Sequence, residues 1–335
     1  KKDIRSLSIE ELTSFFKSNN MPSYRANQVY NWLWKKSCLS FDEMTNISLE
    51  LRNLLKSKFV INHIKIDKLQ KSKDGTIKNA ISLYDNLLVE SVLIPTKSRT
   101  TACISSQVGC SLDCDFCATS KMDRIRNLNP DEIYDQAVTI NSQSLKYHDR
   151  PISNIVFMGM GEPLLNYSNV IKGIDKITSK EGLGMSPKRI TVSTSGISKL
   201  IIKMADDNVK FNLAISLHSA IEKTRNKIMP FSKKFPLENL LEAVKYWYLK
   251  TNKIVTYEYI VWEGINDDED HINALVNFCK SSPSKVNLIE YNTTDNNFFR
   301  SAKNKAIEEY VNKLEKNKIP VNPLSGNLKC TYILE

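Results

Sequence analysis

Hydrophobic positions along the first sixty residues recur at helical spacing. Leu12, Phe15 and Phe16 share one face of a helix that Ser8 is placed to start, and Glu11 at its third position completes a capping box. Tyr24, Val29, Trp32 and Leu33 mark a second helix with Arg25, Lys35 and Lys36 on its outside; Leu49, Leu51, Leu54 and Leu55 mark a third. Residues 1–60 are therefore expected to form a small helical accessory domain with a basic exterior.

From Asn62 the period falls to two. Ile64 to Asp67 alternates, Lys73-Asp74-Gly75 is a turn, and Ile77 to Tyr84 and Leu87 to Ile94 read as strands about Asp85-Asn86. Residues 61–98 are thus expected to be a short antiparallel β-meander leading into the main domain. Glu90 lies within it, in Leu88-Val89-Glu90-Ser91-Val92. A carboxylate inside an apolar strand is costly unless paired or at work, and the pattern alone favours an outward-facing edge position.

From Thr100 onward the two periods alternate. Strands are expected at 100–105, 154–158, 189–194, 212–217, 254–261 and 285–290, and helices at 130–144, 168–179, 197–206, 237–250, 268–281 and 301–316. Asn129 before Pro130 is a good helix start, a cap followed by proline at the first helical position. Strand–helix alternation implies right-handed crossovers and a parallel sheet, an α/β fold.

Composition narrows the class. The 335 residues suit one large domain and a small one, and 41% hydrophobic content is enough for a sizeable core. No apolar run of membrane-spanning length occurs. The opening Lys1-Lys2-Asp3 has neither an apolar signal segment nor an initiator Met, which points to a few residues missing ahead of it. Seven cysteines, an odd number, argue for a reducing cytosol over a disulfide framework. The net charge of +10 suits an anionic partner such as RNA, a weak indication by itself.

The densest chemistry lies in Cys110-Ser-Leu-Asp-Cys114-Asp-Phe-Cys117. Spaced four and then three apart, these thiols can wrap one inorganic centre. Iron–sulfur clusters normally take four thiolates, so three from one loop suggest a four-iron cluster with one iron left open. The competing assignments are a zinc site completed by a distant His or Cys, although zinc loops usually pair cysteines as C-x2-C, and three unrelated thiols. Elsewhere, Gly159-Met160-Gly161 follows a strand, either as a plain turn or as a close backbone approach to a ligand. Cys38 and Cys279 fall in helical patterns as packing residues, and Cys103 in a strand would most often be a buried thiol.

C-x3-C-x2-C is the cluster motif of radical S-adenosylmethionine (SAM) enzymes. The wider text Cys103-Ile-Ser-Ser-Gln-Val-Gly-Cys110 resembles their RlmN/Cfr branch, which methylates adenine in RNA. The resemblance runs from about Ser8 to about Asn322. It implies a radical SAM partial (β/α)6 barrel over residues 99–322, with chemistry at the C-terminal strand ends. It implies one 4Fe–4S cluster on Cys110, Cys114 and Cys117, and SAM, two molecules per turnover. Gly161 and Glu162 match the Gly-Glu-Pro motif that meets the methionine amino group; Ser193, Ser216, Leu217, His218 and Asn292 match further cofactor contacts. Taken alone, His218 would more often be a structural or surface residue. Glu90 matches an active-site proton acceptor, and Cys103 a cysteine that resolves a covalent protein–RNA adduct and leaves a disulfide. The helical domain would help bind RNA. Implied partners are 23S rRNA, tRNA and a reductant such as flavodoxin or ferredoxin, for a cytoplasmic monomer without a membrane role.

The resemblance fails at the end. The family carries the methyl group on a cysteine in a motif like Arg-Gly-x-Asp-Ile-x-Ala-Ala-Cys-Gly-Gln-Leu. The tail 323–335 does not match it; in register that cysteine would fall at Glu335, and Cys330 is the candidate left. The expected activity is methylation of adenine C2 in 23S rRNA and tRNA. The alternatives are methylation at C8, an RNA-binding relative impaired by its tail, and a zinc-stabilised binding module.

Overall fold

The computed structural model describes residues 1–291 and 298–324. Ten strands form one sheet: β1 Lys65–Lys71, β2 Ile77–Ser82, β3 Leu88–Pro95, β4 Thr100–Cys103, β5 Asn154–Phe157, β6 Ile190–Thr194, β7 Asn212–Ser216, β8 Val255–Ile260, β9 Ser284–Ile289 and β10 Val321–Leu324. Their order in space is their order in the chain. β1 to β4 pair antiparallel, so the meander extends the main sheet; β4 to β10 all pair parallel. The six expected parallel strands are present, and β10 adds a seventh.

Parallel neighbours need a long return connection, usually a helix. Here the returns run through α4 Pro130–His148, α5 Tyr167–Thr178, α6 Ser198–Asp206, α7 Glu222–Ile228 with α8 Leu237–Thr251, α9 Glu269–Lys280 and α10 Asn304–Lys316. Ile155, Phe157, Val192, Leu213, Ile215, Tyr257, Val286 and Leu288 bury one face of the strands in a core shared with Ile133, Ile174, Ile201, Leu240, Trp247 and Leu275 of these helices. No helix among the described residues is long and apolar enough to cross a membrane.

The amino-terminal helices are α1 Ile9–Ser18, α2 Tyr24–Trp34 and α3 Leu49–Lys58. The capping box forms: the Ser8 N–H donates to Glu11 Oε2 at 2.7 Å and the Glu11 N–H to Ser8 Oγ at 3.1 Å. Leu12, Phe16, Val29, Leu33, Leu51 and Leu55 are buried as their spacing requires, but Tyr24 and Leu49 stand exposed. Each is the first residue of its helix, a turn short of the packed face.

This module is joined to the barrel by a buried charge cluster on α4. The Arg5 guanidinium donates to both Asp135 oxygens at 2.7 and 2.9 Å, to Asp131 at 3.2 Å and to the Asn62 carbonyl. Burial pushes the Asp135 carboxyl up to about 6 although Arg5 opposes it. Trp34 meets the Tyr134 ring edge-on at 5.3 Å, and the Tyr134 hydroxyl donates to the Trp34 carbonyl at 2.6 Å. Removing one member of a buried pair strands the other's charge, at about 3–5 kcal/mol. Arg5→Met should lower unfolding stability by that amount in urea titration, whereas Lys56→Met, at an exposed pair with Asp42, should change it by less than about 1 kcal/mol.

Candidate active site

Residues paired across a sheet point to the same face, and side chains alternate along each strand. Carried from strand to strand, the registers put Glu90, Val92, Cys103, Val156, Thr191, Ser193, Ala214, Ser216, Thr256, Glu258, Asn287 and Asn322 on the face opposite the helices. The barrel's helix side is apolar, while the inner side is largely polar. Such an interior suits a ligand better than a packed core. Parallel strands end at one rim, and β3, running the other way, returns Glu90 to that rim beside Ser105.

The expectation of an outward, edge position for Glu90 is overturned. β3 lies between β2 and β4, and Glu90 is buried. Its N–H donates to Met160 Sδ at 3.3 Å, and its carbonyl accepts from the Ser105 hydroxyl at 2.6 Å. Cys103 shares its face and is buried against Val92, Ile94 and Val156. Cys38 and Cys279 are buried in the core as expected. No disulfide forms among the described residues. The disulfide implied for Cys103 has its partner, Cys330, outside the described residues, as is Asn292.

The three-cysteine loop follows β4. A two-residue ladder pairing Gln107 with Asn127 and Val108 with Arg126 closes its base. Gly109 has φ +74°, and a Cβ there would lie 2.1 Å from the Asp123 carbonyl oxygen, so no side chain fits. The Ser120 hydroxyl donates to the Cys114 and Cys117 carbonyls at 2.6 and 2.7 Å, and the Asp115 N–H donates to Ile228 O of α7 at 3.1 Å. Phe116 packs against His218, Trp262 and Phe299, with centroids 4.8, 5.1 and 6.3 Å away. Burial pushes the Cys110 thiol up to about 11 and the Cys114 thiol well above its usual range; each also senses the charge of Cys117. Three cysteines on one short loop, backed by the aromatic rings of Phe116, Trp262 and Phe299, suit a cluster held by thiolates in the kind of donor they offer.

Around the loop, Gly161 has φ +90° and presses on Gln107, whose Oε1 accepts the Glu162 N–H at 2.8 Å. The buried Glu162 carboxylate accepts from the Leu164 N–H at 3.0 Å and the Ser195 N–H at 2.8 Å, bracing the loops after β5 and β6. Burial raises its pKa, and these hydrogen bonds oppose the rise. Ser193 and Ser216 sit near their strand ends on the inner face. The Leu217 side chain is in the core, and its backbone N–H donates to Glu258 O at 3.0 Å. His218 is buried at φ +54°; its Nδ1 accepts the Ile260 N–H at 3.2 Å, which leaves the ring proton on Nε2. Burial, then the charge of Arg225, lowers its pKa to about 3, so the ring is neutral.

Sequence reasoning missed Arg225, Glu258 and Asn287. Glu258 is buried on β8 and accepts from Asn287 Nδ2 at 3.0 Å; burial pushes it up to about 7. Its signal was the one that singled out Glu90, a carboxylate within the strand Val255–Ile260. A groove of about 550 Å³ between α5 and α6, lined by Tyr167, Lys203 and Phe211, opens on the helical side and holds none of these residues.

An open parallel barrel with three cysteines on the loop after its first parallel strand defines a radical SAM enzyme, and residues 104–276 match the model of the radical SAM superfamily. Residues 2–61 match the ribosomal RNA large subunit methyltransferase N-terminal domain. A relative from Flavobacterium johnsoniae, named a probable dual-specificity RNA methyltransferase RlmN, is 63% identical over 94% of this chain and 90% of its own. The dual-specificity RNA methyltransferase RlmN of Geobacter sulfurreducens is 40% identical over 92% and 84%. The crystal structure of a radical SAM methyltransferase from Sphaerobacter thermophilus superposes with a TM-score of 0.90 at 31% identity, covering 96% of this chain and 94% of that one. The chain belongs to the RlmN family of radical SAM RNA methyltransferases, and the zinc-module alternative gives way with that. Membership implies a 4Fe–4S cluster, SAM and an RNA substrate.

Gly109→Ala should abolish iron uptake on anaerobic reconstitution, measured as iron per chain, while far-ultraviolet circular dichroism stays near wild type. For Glu258, a folded pKa of about 7 against an ordinary 4.5 means that the folded state holds the proton more tightly. Its contribution is complete below pH 4.5 and lost as pH rises through 7. Urea unfolding at pH 5 and pH 8 should show wild type losing roughly 3 kcal/mol more than Glu258→Gln between those values.

Proposed function

We propose that the chain methylates C2 of a specific adenine in 23S rRNA and in tRNA, as a cytoplasmic monomer reduced by a flavodoxin- or ferredoxin-type donor. The observation that carries the reading is the shared inner face of Glu90 and Cys103 beside the three-cysteine loop, in a chain 63% identical to a relative named for dual-specificity RNA methylation. Cys110, Cys114 and Cys117 would hold the cluster. Bound there, the cluster would supply the electron for reductive cleavage of SAM. Gly161, Glu162, Ser193, Ser216, Leu217 and His218 surround the space where SAM would lie, with Asn292 proposed to join them. The Nε2–H of neutral His218 is a donor that stays fixed across physiological pH. The target base must be unstacked to enter the rim.

An adenine ring carbon is electron-poor and offers no lone pair for direct methyl transfer. A cysteine-borne methyl group activated as a carbon radical overcomes this, and Cys330 is the cysteine available after Asn322. Glu90 then removes the ring proton of the adduct. Once the adduct has also given up one electron, which would return to the cluster, the Cys103 thiolate attacks the carrier sulfur; the methylene–sulfur bond breaks, the freed carbon takes up a proton to become the methyl group, and the two sulfurs remain as a disulfide for reduction. Two molecules of SAM would be used per turnover, one as methyl source for the carrier cysteine and one as radical source.

The test is anaerobic turnover with rRNA and tRNA fragments, followed by mass spectrometry of the nucleosides. The expected product is 2-methyladenosine, with one S-adenosylhomocysteine and one 5′-deoxyadenosine per methyl group. 8-Methyladenosine would move the chain to the C8 branch. SAM cleavage with no methylated nucleoside would overturn the reading in favour of the impaired RNA-binding relative that the divergent tail suggests. Glu90→Gln should cut product formation by about a hundredfold or more while leaving SAM cleavage intact.

A further inference from the structure

Arg225 on α7 is fully buried. Its Nη2 donates to the Ser195 carbonyl at 2.7 Å and the Ser216 carbonyl at 3.5 Å, and its Nε to the Leu217 carbonyl at 3.3 Å. These carbonyls belong to the loops after β6 and β7, so the guanidinium is pinned at the rim. Nη1 is buried with no hydrogen-bond acceptor among the described residues. Among the described residues no carboxylate forms an ion pair with Arg225. A buried charge without a counter-charge is costly, and proteins retain one where an anion completes it.

Glu222 at the start of α7 is the acidic side chain whose charge supports Arg225, but it accepts from the Leu237 N–H at 2.7 Å and forms no ion pair among the described residues; the three-cysteine loop is the other source of negative charge beside α7. α7 is docked to that loop by the Asp115 N–H to Ile228 O bond, and Ile228 and Met229 pack in one cluster with Leu112 and Cys114. A cluster on three thiolates is anionic, and becomes more so when it takes up an electron.

We propose that Arg225 is a positioning residue of the iron–sulfur site: a fixed buried cation, held by three backbone carbonyls, that compensates the thiolate-bound cluster and makes its one-electron reduction easier. It rests on the reading that Cys110, Cys114 and Cys117 hold that cluster. A guanidinium suits the task because its planar fork reaches several backbone carbonyls at once and keeps its charge when buried; burial lowers Arg225 only to about 10.

The experiment compares wild type, Arg225→Gln and Arg225→Lys in the full chain, reconstituted with iron and sulfide. Iron content and circular dichroism are read first, then the cluster potential by mediator titration followed by electron paramagnetic resonance, without SAM. Arg225→Gln should hold about tenfold less reduced cluster at a fixed poise, equivalent to 59 mV for a one-electron couple; Arg225→Lys should stay near wild type. If Arg225→Gln takes up no iron, Arg225→Lys with four irons and a wild-type potential supports the role of charge, and loss of iron in both variants overturns it. An unchanged potential in iron-loaded Arg225→Gln overturns it too, even where SAM binds more weakly, because the partner would then be the cofactor's carboxylate. Wild type that takes up no iron overturns the cluster reading itself.

Discussion

Each strand from β4 to β10 must run the same way, because a helix carries the chain back before the next strand begins. The site depends on that shared direction. Seven strand ends meet at one rim; the loops leaving them carry Cys110, Glu162, Ser195 and His218, and Arg225 of α7 bonds to carbonyls of two of these connections. Pleat alternation then divides the residues. Ile155, Phe157, Leu213 and Ile215 go under the helices, while Ser193, Ser216, Glu258 and Asn287 face inward.

The rim is costly to build. Glu162, Arg225 and Glu258 are ionisable groups out of water, and burial displaces each pKa against its charged form. The fold offsets this with backbone partners. Glu162 takes two N–H donors and Arg225 three carbonyls. These bonds also tie neighbouring loops together, so the groups that carry charge hold the rim's shape. Perturbed ionisable groups gathered at one place are what a site of chemistry requires. The Arg5 cluster has similar burial but lies where the accessory helices meet α4, and its role there is attachment.

Much of this was legible in the chain. The switch between periods of two and 3.6 located the six expected parallel strands and their helices to within a few residues, since side-chain spacing is local. The thiol spacing at Cys110, Cys114 and Cys117 was legible for the same reason. Glu90 was harder: an isolated strand does not disclose whether it is an edge, and β2 and β4 on either side made the carboxylate interior. Arg225 sits on a seven-residue helix with no side-chain cap, in a stretch that reads as ordinary surface until α7 docks on the cysteine loop. Tyr24 and Leu49 failed in the opposite sense, because helical spacing does not show where a helix begins.

By itself the order of residues determined the alternation of strand and helix, the accessory module and the thiol loop, all set by neighbours within a turn or two of backbone. Only the tertiary structure decided which face of each strand is the interior, that Glu90 and Cys103 share it, and that Arg225 is buried beside the loop with no ion pair among the described residues. Those outcomes follow from registers between strands distant in sequence and from the loss of water around groups that no local pattern can foresee.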